Sequence, residues 1–121
     1  LRGPNTIRRF AAEGLSVVHL GDLGCQLTAE QVRALRPCDA LLVPVGGFYT
    51  IDAQGAKAVA EALSPRVIVP MHYRTEAFGL REIDTVEPFL ALFSKELVRH
   101  YDANRLELTA DTPAQVAVLS V

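Results

Sequence analysis

Two side chains able to hold a metal ion each follow a strand-like run. Asp22 lies in His19-Leu20-Gly21-Asp22-Leu23-Gly24, past the apolar run Leu15–Leu20, and His72 lies in Pro70-Met71-His72-Tyr73, past Arg66–Val69. Carboxylate oxygen and neutral imidazole nitrogen are both zinc donors, and an imidazole also serves as general acid or base near neutral pH. Gly21 and Gly24 leave little bulk beside Asp22, so the backbone can turn sharply and a ligand can come close. Each residue alone also has a structural reading: Asp22 as a turn former or helix cap, His72 as a hydrogen-bonded histidine of the fold. Their joint placement at two strand ends points to a metal site.

Other candidates carry less. His19, on a strand, faces away from Leu20 and reads as a core or supporting histidine. His100, beside Tyr101 and Asp102, reads as surface. Gly46-Gly47-Phe48-Tyr49-Thr50 has neither a GxGxxG nor a Walker pattern, so it reads as a tight turn. Tyr49 and Thr50 could line a pocket beside the site, with Tyr73 opposite. Cys25 is close enough in sequence to Asp22 to touch a soft metal, but reads more simply as a small thiol. Neither Ser16 nor Ser64 has the context of a nucleophile elbow.

The elements that must position these residues follow from pattern. Thr6–Ala11 and Leu15–Leu20, separated by Glu13-Gly14, predict a hairpin. Thr28 with Gln31 three residues on predicts a capping box opening a helix over Ala29–Leu35, closed by Pro37. The apolar run Ala40–Val45 predicts a strand buried on both faces. Asp52 caps a second helix, Ala53–Leu63, which Pro65 ends. Arg66–Val69 is the next strand, Thr85–Ser94 a third helix, and Arg105–Thr109 and Gln115–Val121 two closing strands. This order, β-β-α-β-α-β-α-β-β, predicts an α/β sheet, where functional groups collect at the carboxyl ends of strands. Asp22, the Gly46-Gly47 turn and His72 all fall there.

The 121 residues fit one domain, and half of them are hydrophobic, which excludes a disordered chain. Twelve basic and 14 acidic residues leave a net charge of −2, so there is no basic field to steer nucleic acid. Two cysteines, Cys25 and Cys38, are too few for a disulfide framework and predict reduced thiols in a cytoplasmic protein. Neither a membrane span nor a signal peptide is visible. The opening Leu1-Arg2-Gly3-Pro4 lacks an initiator Met and predicts a piece of something longer.

Three strings taken together, His19–Gly24, Leu42-Val43-Pro44-Val45-Gly46-Gly47-Phe48-Tyr49-Thr50-Ile51-Asp52 and Val69-Pro70-Met71-His72-Tyr73-Arg74, resemble the metallo-β-lactamase-fold hydrolases. The branch they resemble is related to the ascorbate-phosphate lactonase type, and Arg2-Gly3-Pro4-Asn5-Thr6-Ile7 is similar to that branch as well. The resemblance implies a four-layer αββα sandwich of two similar halves, with the metal site between them at the sheet edges. It implies that Asp22 matches the carboxylate bridging two metal ions and that His72 matches the last histidine ligand. The family's H-x-H-x-D-H signature does not occur here. The expectation is therefore that residues 1–121 form a single C-terminal portion, half of the sandwich, with a mixed sheet, helices on one face and the N-terminal half missing.

The expected function, as the resemblance implies it, is the C-terminal half of a hydrolase holding two divalent ions, taken as zinc, with Asp22 and His72 as both metal and catalytic residues. A metal-activated hydroxide would act on a small-molecule ester, phosphoester, lactone or amide, and the fragment itself would be inactive. The alternative is a non-catalytic interaction or assembly module that keeps the fold without a full metal site. An exposed sheet face further predicts self-association or pairing with the missing half.

Overall fold

The computed structural model describes residues 5–48, 50–75 and 83–120. Six strands form one mixed sheet in the order β1-β2-β3-β4-β6-β5. They are β1 Arg8–Ala12, β2 Leu15–His19, β3 Ala40–Pro44, β4 Val67–Met71, β5 Val98–His100 and β6 Gln115–Val118. The helices are α1 Ala29–Leu35, α2 Ala53–Leu63 and α3 Glu87–Leu90. β1 and β2 form an antiparallel hairpin, and all other neighbours pair in parallel. Glu13 and Gly14 both adopt positive φ, 53° and 76°, which gives the hairpin turn the twist of its strands.

The local signals act as expected through the first two-thirds of the chain. Thr28 accepts from the Gln31 N–H while the Gln31 side chain accepts from the Thr28 N–H, so two orphan donors of α1 are satisfied reciprocally. The Asp52 carboxylate accepts from the Gly55 N–H at 2.9 Å and opens α2. α2 ends at Ser64, whose left-handed φ of 48° leads into Pro65. Its face of Ala56, Val59, Ala60 and Leu63 packs on the sheet residues Val18, Leu41, Val43 and Val116, with Phe89 of α3 completing this core.

All three helices contribute to that one core, so they cover a single face of the sheet. The other face is apolar too. Register places Phe10 opposite Val17, Val17 opposite Ala40, and Ala40 opposite Val67; in the next row His19, Leu42 and Val69 are aligned. Leu106 and Leu108 pack over the Ala40, Val67 and Ala117 end of this face. Toward β1 it lies open, with Phe10 56% exposed.

Two expectations are corrected. Arg105–Thr109 is not a strand: β6 is paired with β4 on one side and with β5, a segment for which no element was expected, on the other. The alternation of Leu106 and Leu108 reflects side chains laid across the sheet face, not a ladder of backbone bonds. Thr85–Ser94 is helical only over Glu87–Leu90, because beyond Leu90 the N–H groups of Leu92 and Phe93 reach back three residues instead of four. Phe89 and Phe93 still meet, with ring centroids 5.0 Å apart. Among the described residues, no helix is long and apolar enough to cross a membrane.

Candidate metal centre

Parallel pairing of β2, β3 and β4 brings their carboxyl ends to one edge. Two loops leaving that edge are tied together, since the Ile51 N–H donates to the Leu23 carbonyl at 2.9 Å. The loop after β3 is also tied to the one after β4: the Val45 N–H bonds the Met71 carbonyl, and the Asp84 N–H bonds the Gly46 carbonyl. Gly46 is required by this approach, because a Cβ there would stand 2.2 Å from the His72 carbonyl oxygen. His72 takes a left-handed φ of 54°, a conformation uncommon for a residue with a Cβ and more tolerated by His than by most.

Asp22 Oδ1 and His72 Nε2 lie 3.2 Å apart, although β3 separates the strands that carry them. Both side chains are open to solvent, 76% and 46% exposed. The pair forms an ion pair when the imidazole is protonated. The same spacing suits two ligands of one ion, since donors at about 2.1 Å in a tetrahedral arrangement sit roughly 3.4 Å from each other. The donor set thus fits a divalent metal in type and spacing. Among the described residues no group of three or more His, Cys, Asp and Glu side chains is placed to hold one.

The other candidates fall elsewhere. His19 faces away from the buried Leu20, and its Nδ1 accepts from the Gly21 N–H at 3.1 Å. Tyr73 packs against the helix-side core instead of lining a pocket, and burial, with the charge of Glu87 adding to it, raises its phenol above the ordinary range. The Thr50 hydroxyl donates to the Ile51 carbonyl, and Tyr49 lies outside the described residues. Cys25 and His100 are exposed. A shallow groove of about 320 Å³ lies away from Asp22 and His72, around the β1–β2 turn, lined in part by Arg9, Ser16, Pro37 and Asp39. Ser16 and Asp39 there are engaged in structural bonds: Ser16 donates to Pro37 and Asp39, and Arg66 donates to Asp39.

Asn5 joins the site although the sequence marks it only as one member of the string Arg2–Ile7 and gives it no role of its own. Its side chain bonds the backbone on both sides of Gly21, accepting from the Asp22 N–H and donating to the Leu20 carbonyl, each at 2.8 Å. A partner 17 positions away leaves no periodic trace, so only the fold displays it.

The chain is similar to known proteins over most of its length. The family model described as the beta-lactamase superfamily domain matches residues 1–72. A UPF0173 metal-dependent hydrolase of Thermoplasma acidophilum is 39% identical over 79 residues, an overlap of 65% of this chain and 34% of that protein. Among solved structures, a protein of Thermotoga maritima described as a Zn-dependent hydrolase of the metallo-β-lactamase superfamily aligns with a TM-score of 0.82 at 43% identity. That alignment covers 92% of this chain and 56% of the other. The metallo hydrolase Igni18 of Ignicoccus hospitalis aligns with a TM-score of 0.54 at 34% identity, over 66% of this chain and 34% of its own. The chain therefore spans between about a third and somewhat over half of these relatives. It has the metallo-β-lactamase-type fold, and it belongs to the β-lactamase superfamily domain family.

Proposed function

We propose that this chain is the C-terminal part of a metal-dependent hydrolase domain, with Asp22 and His72 as metal ligands. The observation that carries the reading is the 3.2 Å approach of Asp22 Oδ1 to His72 Nε2 at an exposed sheet edge. Two donors fall short of the three protein ligands usual at a catalytic zinc. The reading therefore assigns the remaining ligands to a companion segment and holds the 121 residues alone to be inactive. Two features support this: the partial span of the relatives, and the open sheet face carrying Phe10, Val17 and Leu42.

The metal in this reading is zinc, which Asp22 and His72 would hold, with Asp22 the residue that would be shared if two ions were bound. When bound, the ions supply Lewis acidity, polarising the scissile bond and acidifying the attacking water. The chain's own residues do the rest. Asp22 brings one carboxylate oxygen to the imidazole of His72 at the sheet edge, and the backbone contact of Gly46 fixes where that imidazole starts. The substrate is a small molecule with an ester, phosphoester, lactone or amide bond. Replacing Asp22 by Ala in the complete polypeptide should abolish metal-dependent hydrolysis of p-nitrophenyl esters and phosphodiesters; unchanged turnover would remove the assignment.

A second reading, a non-catalytic assembly module, is favoured by the two-donor limit among the described residues. Metal content separates the two: purified complete protein that carries no stoichiometric metal and takes up none would favour the module.

A further inference from the structure

The Asp22 carboxylate is largely free in solvent, yet the main chain that carries it is gripped from two sides. Gly21 adopts a left-handed φ of 61°, and a Cβ there would lie 2.6 Å from Asn5 Oδ1 and 2.8 Å from the Thr6 carbonyl oxygen. The Asn5–Thr6 segment thus lies directly against the Gly21 α-carbon. The single Asn5 amide group both donates to the Leu20 carbonyl and accepts from the Asp22 N–H. From the strand side, the Gly21 N–H donates to His19 Nδ1. A neutral ring that accepts at Nδ1 carries its proton on Nε2, so His19 serves the turn through one nitrogen and offers no lone pair at the other.

Three consecutive backbone groups, the Leu20 carbonyl and the Gly21 and Asp22 amides, are therefore held by two side chains. Neither side chain touches the Asp22 carboxylate in these contacts. What they fix is the point from which it swings toward His72, so that only its own side-chain rotation remains to be ordered when an ion binds. A ligand presented on a preformed turn loses less freedom on binding than one carried by a mobile loop.

We propose that Asn5 is a positioning residue of the metal centre, clamping the Leu20–Asp22 turn so that the Asp22 carboxylate meets His72 at ligand spacing. This rests on the reading of Asp22 as a metal ligand. Asn5 is exposed and lies outside the two hydrophobic clusters, so its loss is felt at the turn more than in the core.

The test compares wild type, Asn5→Ala, Asn5→Asp and Asp22→Ala in the complete polypeptide. The readouts are Zn²⁺ titration by calorimetry, amide exchange at Asp22 followed by NMR, and the melting temperature. Asn5→Ala should speed Asp22 amide exchange and weaken Zn²⁺ binding by about 10- to 100-fold, the usual range for a residue that orients a ligand, with melting little changed. Asn5→Asp keeps an oxygen facing the Asp22 N–H and should restore its protection. Wild-type Zn²⁺ affinity in Asn5→Ala, alongside loss of binding in Asp22→Ala, would overturn the clamp and leave the metal site standing. Equal Zn²⁺ behaviour of wild type and Asp22→Ala would overturn the ligand assignment, and with it the positioning role; undiminished Asp22 protection in Asn5→Ala would overturn the clamp by itself.

Discussion

Replacing Gly46 by Ala should damage the site and the fold together. The added Cβ would stand 2.2 Å from the His72 carbonyl oxygen and 3.2 Å from Ile83 Cβ. A carbon–oxygen contact relaxes at roughly 3.3 Å, so the His72 backbone must retreat by roughly 1 Å. It has little room to do so, because bonds from Val45 to Met71 and from Asp84 to Gly46 pin both flanks. Overpacking of this kind costs about 1–3 kcal/mol. At about 4 °C per kcal/mol for a domain of this size, calorimetry should record a fall in melting temperature of about 4–12 °C. A displacement of about 1 Å is also enough to spoil ligand geometry, so Zn²⁺ affinity should fall by about tenfold or more. Gly14→Ala is the control. Its Cβ meets nothing within 4 Å, and its φ of 76° imposes only a backbone strain of about 1–2 kcal/mol in the hairpin turn. That variant should melt lower yet bind Zn²⁺ as wild type does. A Gly46→Ala protein with wild-type melting would refute the packing argument, and one that melts low but binds Zn²⁺ normally would refute the link to His72.

The two thiols should behave differently. Burial is the main cause pushing the Cys38 thiol up to about 11, and the residue is only 7% exposed, whereas Cys25 is exposed. At pH 8 about 0.1% of Cys38 is thiolate, against about a quarter of an ordinary thiol of pKa ~8.5. Ellman's reagent should therefore titrate one thiol promptly and the second only on unfolding; two equal rates in the native protein would contradict the buried placement. Asp39 should contribute to acid sensitivity. The Ser16 N–H, aided by the Arg66 guanidinium, holds its carboxyl below the ordinary 3.8. The folded state therefore favours the ionised form. That stabilisation is complete above the unfolded value and drains away as pH falls below about 4 toward the lower folded value. Urea unfolding from pH 6 to pH 2 should show a shallower acid decline for Asp39→Asn, and parallel curves would dismiss the contribution.

Local chemistry was legible wherever cause and effect lie within a few residues. The Thr28–Gln31 capping box, the Asp52 cap and the buried run Ala40–Val45 each act through neighbours in sequence, and each appears as read. The meeting of Asp22 with His72 was legible for a different reason: parallel strands gather their carboxyl ends at one edge whatever lies between them. Long-range partnerships left no such trace. Nothing in the residues around Asn5 announces its contact with Gly21, which only the fold brings about. Leu106 and Leu108 show strand-like alternation but use it to cover a sheet face, because both edges of β6 are already taken. Tyr73 follows His72 directly, yet the left-handed backbone at His72 accompanies a change of direction that delivers its ring to the core.

β3 supplies no donor, yet it governs whether the acid and the imidazole can see one another. Its two ladders, each roughly 4.8 Å wide, lie between the neighbouring strands, and the 3.2 Å contact closes above its tip. The strand tapers there from the ring of Pro44 through Val45 to the bare α-carbon of Gly46, like a wall cut down to a sill. Lengthening it by a single pair of residues would raise a parapet between the two sides. The reach of the centre is thus limited by the height at which a bystander stops, and an insertion at that spot should be more harmful than most changes to the loops around it.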